Sequence, residues 1–574
     1  MEEKRIGVYV CWCGTNIAGM VDVEAVSREI GKLPNVVVSK EYKYICSDPG
    51  QDMIIKDIRE NNLNRVVVAA CSPRMHEPTF RKTLANAGLN SYMFEMANIR
   101  EQDSWVHEDK EEATIKAKAL IAAAVNRIKY HEPLANRTVD INSATLIIGG
   151  GIAGITAALE IADAGKKVFL IEKTDRLGGI VAETDSTFPF FTDTRQLLLP
   201  LISRIKNHSF IDVFYEAEIK QVSGFIGNFE TTVYGSGGKE TNLKFGNIIV
   251  ATGLKPLDPS GIEQYGYGKF PDVYTSFEFE KILKKGNIVT KTMQEPKHIA
   301  IIHCVGSRNQ NYHEYCSSTC CMTALKYANQ IRSELPNAHI FDIYADMRAF
   351  GKDCEELYTL SSFRKIKFFM FDQQDELPKI IKSERKNCEM IIELEEKLTG
   401  KSIAIPADMV ILMVGVEAQE NARDIAHAVG ISTCKNSFYI ERHPKLDPVA
   451  TTTDGVYIVG TCQGPKNIPD TISQARAAAA RILGVIAQGK VLVEVTTASV
   501  NENICCGCQT CIKVCPYTAI SFDAEKKVSV VNETLCKGCG TCGSACPTGA
   551  IKCSRFTDKQ ILAQIEGLLS MSFS

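Results

Sequence analysis

Two cysteine runs near the C-terminus constrain this chain more than any other feature. The first is Cys505-x2-Cys508-x2-Cys511-x3-Cys515-Pro516, and the second is Cys536-x2-Cys539-x2-Cys542-x3-Cys546-Pro547. This proline-terminated spacing holds a pair of [4Fe–4S] cubanes, each bound by three thiolates of one run and the fourth of the other. On that rule Cys505, Cys508, Cys511 and Cys546 bind one cluster, and Cys536, Cys539, Cys542 and Cys515 bind the other. A tight loop must turn three thiolates toward one cube, and Gly507, Gly538 and Gly540 permit the backbone angles this needs. The alternative, two zinc ribbons, uses paired C-x2-C knuckles rather than four-cysteine runs ending in proline. The chain is therefore expected to move electrons.

Composition narrows the setting. A chain of 574 residues is too long for one core, so several domains are expected. Its 45% hydrophobic and 23% charged content is that of a soluble globular protein. A net charge of −3 without a long basic run argues against nucleic acid as a partner. The opening MEEKRIGVYV has no signal-peptide character, and no apolar stretch reaches membrane-span length. Twenty-two cysteines in such a chain suggest metal ligands in a reducing cytoplasm rather than disulfides.

Residues 144–151 read ATLIIGGG, a strand running into Gly149-x-Gly151-x-x-Gly154, then a helical pattern, then KKVFLIEK, a second strand ending in Glu172. Strand, glycines, helix, strand and an acid 23 residues after the first glycine make a dinucleotide-binding unit. Gly149 makes the turn, Gly151 admits a pyrophosphate to the helix N-terminus, and Gly154 lets helix and strand pack closely. Glu172 is expected to meet the adenosine ribose. The following Lys173 to Gly178-Gly179 resembles the E-x5-GG extension of two-dinucleotide-domain flavoproteins of the thioredoxin-reductase type, which implies FAD rather than NAD. IIVATG, ending in Ala251-Thr252-Gly253, and TTDGVYIVGT, a strand returning to the flavin, are further segments of that type. Where such proteins have Gly-Asp, this chain has Gly460-Thr461-Cys462. The next helix is expected to aim its N-terminus, around Ile468, Asp470 and Thr471, at the flavin pyrimidine.

Such flavoproteins carry a second glycine fingerprint for NAD(P)H. Here the equivalent strand, KHIAIIHCVGSRNQ, has one glycine, Gly306, flanked by Val305 and Ser307, which should block close approach of a nicotinamide dinucleotide. The usual C-x-x-C disulfide is replaced by Cys304, Cys316, Cys320 and Cys321, the pattern C-x11-C-x3-C-C. Four cysteines just past a strand end suggest a third [4Fe–4S] cluster, the alternative being buried or redox-active thiols. Residues 1–100 hold Cys11, Cys13, Cys46 and Cys71, delivered by the ends of three strands, where α/β sheets place ligands. A fourth cluster is plausible there; free buried thiols are the alternative, and His76 is more simply structural.

GGGIAG, HCVGSR…YCSSTCCMTALKYA, GTCQGPKNIPDTISQA and the ferredoxin tail together resemble the A-subunit family of heterodisulfide reductase and its bacterial homologues, over essentially the whole chain. Longer members carry an inserted ferredoxin domain before the ATG segment; with no cysteine between Gly179 and Ile248, this chain resembles a short form. The resemblance implies a flavin- and iron–sulfur-dependent oxidoreductase component that distributes, and in the family bifurcates, electrons. It implies as partners a catalytic B/C-like pair, an input module linked to hydrogenase, formate dehydrogenase or NADH, and ferredoxin, in a homodimeric complex. The alternative is a stand-alone NAD(P)H- or ferredoxin-dependent flavin oxidoreductase. Lys326 and Lys466 are the candidates for tuning the flavin, with a solvated surface lysine as the simpler reading for each.

The expected architecture is α/β and multidomain. An N-terminal α/β domain (1–106) is followed by a helical linker (107–142), which reads as an amphipathic helix. The FAD-binding domain takes 143–296 and returns at 413–492. Between them lies a degenerate NAD-type domain (297–412) with the Cys-rich site, and an α+β two-cluster ferredoxin domain (493–574) ends the chain.

Overall fold

The structure, a computed structural model, describes residues 3–571 other than 136, 375, 376, 385–387, 494, 518 and 534. It divides into two compact units, one formed by Met1–Thr138 with Leu492–Ser574 and the other by Val139–Val491.

The first unit is built on a four-stranded parallel sheet in the order Val36–Tyr42, Ile6–Cys11, Arg65–Ala70, Phe94–Asn98. IGVYVC and, after Arg65, VVVAA are uninterrupted apolar runs, and every residue of both strands is buried. Strands covered on both faces read this way because there is no solvent side to be polar. The sequence direction of the sheet reverses between the first and third strands, so a crevice opens beyond their carboxyl ends. The helix Lys110–Ile128, expected as a connector, lies in the core of this unit. Asp109 caps its N-terminus by accepting from the Glu111 and Glu112 amides, and its small face, Ala113, Ala117, Ala124 and Ile121, is buried against the sheet.

The C-terminal segment pairs Ala498–Val500 with Ile551–Cys553 and Ile520–Asp523 with Val528–Val531 around two short helices, Thr510–Val514 and Thr541–Ser544. Its core is made largely of Cys511, Cys536, Cys542 and Cys553 with Ala519, Ile520 and Ile551. The final helix, Asp558–Ser570, lies along Lys110–Ile128. Contact is close enough that a Cβ on Gly567 would stand 2.5 Å from the Ala122 carbonyl oxygen. Beside this crossing the Glu95 carboxylate accepts from Arg127 Nη1 at 3.1 Å and Arg555 Nη2 at 3.3 Å, and meets His131 Nε2 at 3.2 Å. Arg555 also donates to the Phe94 carbonyl at 2.6 Å, and Arg127 donates to the Arg555 carbonyl at 2.8 Å. Burial alone would raise the Glu95 pKa, but His131, Arg127 and Arg555 hold it below the usual carboxylate range.

The second unit repeats one plan twice. One five-stranded parallel sheet runs Val456–Ile458, Asn247–Val250, Thr145–Ile148, Val168–Ile171, Ile211–Phe214; the other runs Val273–Thr275, Met409–Val414, His298–Val305, His339–Tyr344, Lys367–Met370. Each has a three-stranded antiparallel companion, 218–245 and 379–407. Leu254–Pro256 pairs antiparallel with Val416–Ala418 where the chain passes between the halves. The second sheet takes its edge strand, Val273–Thr275, from earlier in the chain than position 297.

Gly567→Leu is expected to displace the final helix, because the new side chain would meet the Ala122–Ala123 backbone. Limited trypsin digestion should then cleave after Arg555 many-fold faster than in wild type, while the flavin content of the second unit stays unchanged.

Candidate cofactor sites

The strand Thr145–Ile148 ends in Gly149 at φ 110°, and the helix Ile152–Asp163 starts immediately after Gly151. A Cβ on Gly149 would lie 2.4 Å from the Ala251 carbonyl oxygen, and one on Gly154 would lie 1.9 Å from that of Gly149. A Cβ on Gly151 meets nothing within 4 Å. The first and third glycines are thus required by packing, while the second borders open space beside a helix N-terminus, which suits an anionic pyrophosphate. Glu172 is buried at the end of the neighbouring strand. Its Oε2 accepts from the Gly150 amide at 2.8 Å, and its Oε1 accepts from the Thr174 amide and hydroxyl at 2.9 and 2.8 Å. Gly178 (φ 116°) donates its amide to the Gly150 carbonyl, and a Cβ on Gly179 would stand 3.1 Å from Gly151 Cα. The E-x5-GG extension therefore folds back onto the glycine turn. Lys173 points away, to Gln419 Oε1 at 3.1 Å.

The ATG segment closes another side. Ala251 continues the strand beside Gly149, Thr252 Oγ1 lies 3.4 Å from Tyr439 OH, and a Cβ on Gly253 (φ 75°) would meet Thr461 Oγ1 at 3.9 Å. On the return, Gly460 (φ 78°) packs against Ala153 and Thr471, leaving no room for a side chain. The helix Ile468–Gln488 begins there, Asn467 capping it by accepting from the Asp470 amide at 2.8 Å. Ile468 packs with Ile152 and Val181, Thr471 is buried, and the Asp470 side chain is exposed. Lys466 donates to the Gly460 carbonyl at 2.7 Å and Gln463 Oε1 at 3.1 Å, and burial depresses its pKa. Thr461 follows Gly460 where such flavoproteins carry Asp, and Cys462 beside it turns inward: its thiol donates to the carbonyls of Val459 and Val250.

In the second half, the strand His298–Val305 does not pass into a helix through a glycine turn. Cys304 adopts φ 57°, Gly306 packs under Leu257, and the chain runs on to residue 319 before the helix Cys320–Glu334 starts. That helix N-terminus carries Cys320 and Cys321. Cys320 has the thiols of Cys304, Cys316 and Cys321 as electrostatic neighbours, and Cys304 has that of Cys321. Burial raises the pKa of Cys304, and that of Cys320 far more. Cys321 differs: burial opposes ionisation there too, but His303 outweighs it and lowers its pKa. His303 is completely buried with its Nε2 3.0 Å from Asp342 Oδ1, and that carboxylate holds the imidazole charged against the burial that would neutralise it. Arg308, paired with Asp346, places Nη1 3.9 Å from Cys304 Sγ.

Lys326, on the same helix, is 1% exposed. It donates to Glu280 Oε1 at 2.6 Å and to the Ser186 carbonyl at 2.9 Å, and Tyr327 OH donates to the same Glu280 oxygen at 2.8 Å. Burial lowers its pKa, with Glu280 opposing. The surface-lysine reading is excluded, since this ion pair joins three elements: the loop at 186 and the helices Ser276–Lys285 and Cys320–Glu334.

At the N-terminus, Cys11 and Cys13 follow the first strand and Cys71 follows the third, on either side of the point where the sheet direction reverses; Cys46 follows the second. Cys13 is an electrostatic neighbour of the other three thiols, and Cys11 of Cys46 and Cys71. Burial raises Cys11 to about 11 and Cys71 to about 12. Arg100 Nη1 donates to Cys13 Sγ at 3.3 Å. His76 makes an edge-on contact with Phe80, and burial, assisted by Arg100, lowers its pKa.

In the tail, Gly507, Gly538 and Gly540 have φ of 66°, 61° and 81°, and Gln509, the counterpart of Gly540, is held at 58°. One small cavity is lined by Cys515, Cys536, Cys539 and Cys542 with Ala498 and Ile520. Burial, with Cys553, Cys536, Cys539 and Cys515, raises Cys542 to about 11, and Cys546 is the charge neighbour of Cys508. Cys515 is thus brought to the second run's thiols, and Cys546 to Cys508 of the first.

Among the described residues no three His, Cys, Asp or Glu side chains are placed to hold a single metal ion. A four-iron cube is larger than an ion and spreads its ligands. The donor sets fit it: thiols gather in fours, burial pushes Cys11, Cys46, Cys71, Cys304, Cys320 and Cys542 upward, and such thiols would ionise where a cationic cluster compensates their charge. Among the described residues no helix is long and apolar enough to cross a membrane. Arg100, Glu280 and Asp342 left no sequence signal; His303 and Arg308 sit in the HCVGSR string.

Comparison with known proteins agrees with this inventory. Residues 143–302 match the pyridine nucleotide-disulphide oxidoreductase family and residues 529–552 the 4Fe-4S binding domain family. The chain is thus a flavin- and iron–sulfur-dependent oxidoreductase, binding FAD and [4Fe–4S] clusters. It is 40% identical to the A subunit of the H(2):CoB-CoM heterodisulfide,ferredoxin reductase of Methanothermobacter thermautotrophicus, over 91% of each chain. It is 36% identical to the A subunit of the H(2)/formate:CoB-CoM heterodisulfide,ferredoxin reductase of Methanococcus maripaludis, over 99% of each. It belongs to the A-subunit family of heterodisulfide reductase. Among solved structures, the thioredoxin reductase of T. acidophilum is similar over 60% of this chain and 99% of its own, with a TM-score of 0.41 and 15% identity.

Gly154→Val should abolish FAD retention, since the side chain would enter the Gly149 carbonyl; flavin absorbance of the purified chain checks this, with the iron content of the first unit unchanged. Lys326→Met should cost about 3–5 kcal/mol by stranding the buried Glu280 carboxylate. Adding Glu280→Gln should recover much of that loss in urea unfolding followed by flavin fluorescence.

Proposed function

We propose that this chain is the electron-distributing component of a heterodisulfide-reductase-like complex, splitting electron pairs between a low-potential acceptor such as ferredoxin and a higher-potential one. Its partners on this reading are a catalytic B/C-like pair and an electron-input module linked to hydrogenase, formate dehydrogenase or NADH, in a homodimeric complex. Bound FAD supplies the exchange between two-electron and one-electron steps, and the clusters carry single electrons.

One observation carries the reading: the second nucleotide half delivers four thiols where a dinucleotide-binding half would present a glycine turn to pyrophosphate. Val305 is buried in the core, the segment after Gly306 is a long loop, and the helix N-terminus is occupied by Cys320 and Cys321. A partial positive charge at that end favours thiolate. The chain's own residues are assigned as follows. Gly149, Gly151 and Gly154 shape the pyrophosphate turn, Glu172 receives the ribose, and Gly178 and Gly179 brace the turn. Ala251, Thr252, Gly253 and Gly460 border the flavin, with Ile468, Asp470 and Thr471 at the helix N-terminus. Lys466 orients the return loop through the Gly460 carbonyl, and Lys326 places a compensated buried charge on the helix that begins with the CC pair. Four clusters, sixteen thiolates in all, correspond to the four cysteine sets.

The alignment with the M. maripaludis relative spans 656 positions against 574 residues here, which supports a form lacking a segment of the longer members. Names of relatives that specify H2, formate and ferredoxin favour the complex over a stand-alone flavin reductase.

Two measurements test the proposal. NADH at micromolar concentration should not bleach the flavin of the isolated chain; rapid, saturable bleaching would favour the stand-alone enzyme. Cys320→Ser or Cys321→Ser should leave FAD bound, remove one cluster signal from the EPR spectrum, and slow reduction of the tail clusters from the flavin by orders of magnitude. Wild-type transfer rates in a variant shown to lack that cluster would make the CC motif structural.

A further inference from the structure

We propose that Arg100 is a positioning residue that raises the reduction potential of the N-terminal cluster through its hydrogen bond to Cys13, setting that cluster above the tail pair. The inference rests on the reading that Cys11, Cys13, Cys46 and Cys71 hold a cluster.

Much of the site's surroundings is apolar. Cys11 belongs to a core with Ile45 and Ala70, and Cys13 and Cys46 pack against it. Into this surrounding the fold places one guanidinium, 3.3 Å from Cys13 Sγ. Several contacts fix it there. Arg100 opens a π-helical turn, Arg100–Ser104, whose first amides, those of Arg100 and Glu101, donate to Asn98 Oδ1 at 3.2 and 3.1 Å. Ser104 Oγ donates to the Asn16 carbonyl at 2.8 Å, tying the turn to the loop that carries Cys13. Arg100 Nη2 and Nε both donate to Glu101 Oε1, at 2.7 and 3.2 Å, leaving Nη1 for the sulfur, and the guanidinium lies 4.8 Å from the Trp105 ring centroid. Cys13 itself holds φ 49°, a conformation uncommon for a side-chain-bearing residue, so the backbone is bent to present this thiol.

Among the described residues no arginine serves the tail clusters in this way. Arg555 is the only arginine in residues 493–574, and it is engaged by Glu95, Glu77 and the Phe94 carbonyl. The tail sulfurs meet hydroxyls and amides instead: Ser529 at Cys511, Thr541 at Cys539, and the amides of Ala498 and Ala519 at Cys536 and Cys515. Reduction adds one electron and one negative charge to a cluster, with no bond made or broken. A cation donating to a ligand sulfur stabilises that added charge, and hydrogen bonds to sulfur are among the levers that set cluster potential. Glu101 partly cancels the cation. Arg308 beside Cys304, whose φ is also positive, repeats the device at the longer distance of 3.9 Å.

The experiment is an EPR-monitored titration of the anaerobically purified full chain with dithionite, with iron content measured alongside. Cys71→Ser should remove one signal and about four irons, which identifies the N-terminal cluster; unchanged iron and signals would overturn the reading that a cluster is there. Given that signal, Arg100→Gln should shift its oxidised-to-reduced ratio at fixed potential about tenfold or more toward oxidised, about 59 mV lower per tenfold for a one-electron couple. Arg100→Lys should fall between, keeping the charge without the fork. Glu101→Gln should shift the same signal the opposite way, and the tail signals should not move. Unchanged midpoints in Arg100→Gln with full iron would overturn the proposal. If Arg100→Gln loses the cluster, Glu101→Gln decides: no upward shift overturns it equally.

Discussion

Burying a thiolate in apolar surroundings is costly, and this chain gathers its thiols where that cost is high. Cys11, Cys71, Cys304, Cys320 and Cys542 are all pushed upward by burial. Such thiols are poor free nucleophiles and good ligands, because a cationic cluster restores what burial removes. The rest of the architecture answers that constraint. Parallel strands end together, helices begin where strands end, and cysteines distant in sequence meet in one dry pocket. The same geometry that gives an α/β sheet its ligand crevice is used for sulfur in the N-terminal domain and in the second half of the flavin unit.

The tail solves a second problem. A small domain whose buried core is half cysteine has little apolar area with which to hold a position. It is fixed instead by a long helix laid against Lys110–Ile128, with Gly567 permitting backbone approach, and by a carboxylate, Glu95, shared between two arginines and a histidine. Removing one partner from such a buried set leaves uncompensated charge, so the set specifies one docked arrangement as well as stabilising it.

The flavin unit shows how one plan is diverted. Both halves have a five-stranded parallel sheet and an antiparallel companion. In one, glycines close the strand-to-helix turn and leave space at Gly151; in the other, a long loop and four cysteines occupy the equivalent place. His303, Asp342 and Arg308 form the charged surroundings of that second site, and the paired Lys326 and Glu280 reach the glycine half through the Ser186 carbonyl and the Asp185 amide.

Spacing alone determined the tail. Ligands separated by two residues meet whatever the remainder of the chain does, and the fourth cysteine of each run goes to the other cluster, so Cys505 to Cys546 and their glycines were readable without a fold. The glycine fingerprint was legible for a similar reason, since Gly154 answers to the Gly149 carbonyl five residues away, although Gly149 itself is required by Ala251 on a neighbouring strand. Tertiary structure decided what is held by residues far apart. Arg100 reaches Cys13 across 87 positions and Lys326 reaches Glu280 across 46. The helix Lys110–Ile128 read as a connector because its partner lies more than 400 positions later in the chain, at Asp558–Ser570. An amphipathic pattern says that a face is buried, but only folding brings up the surface that buries it.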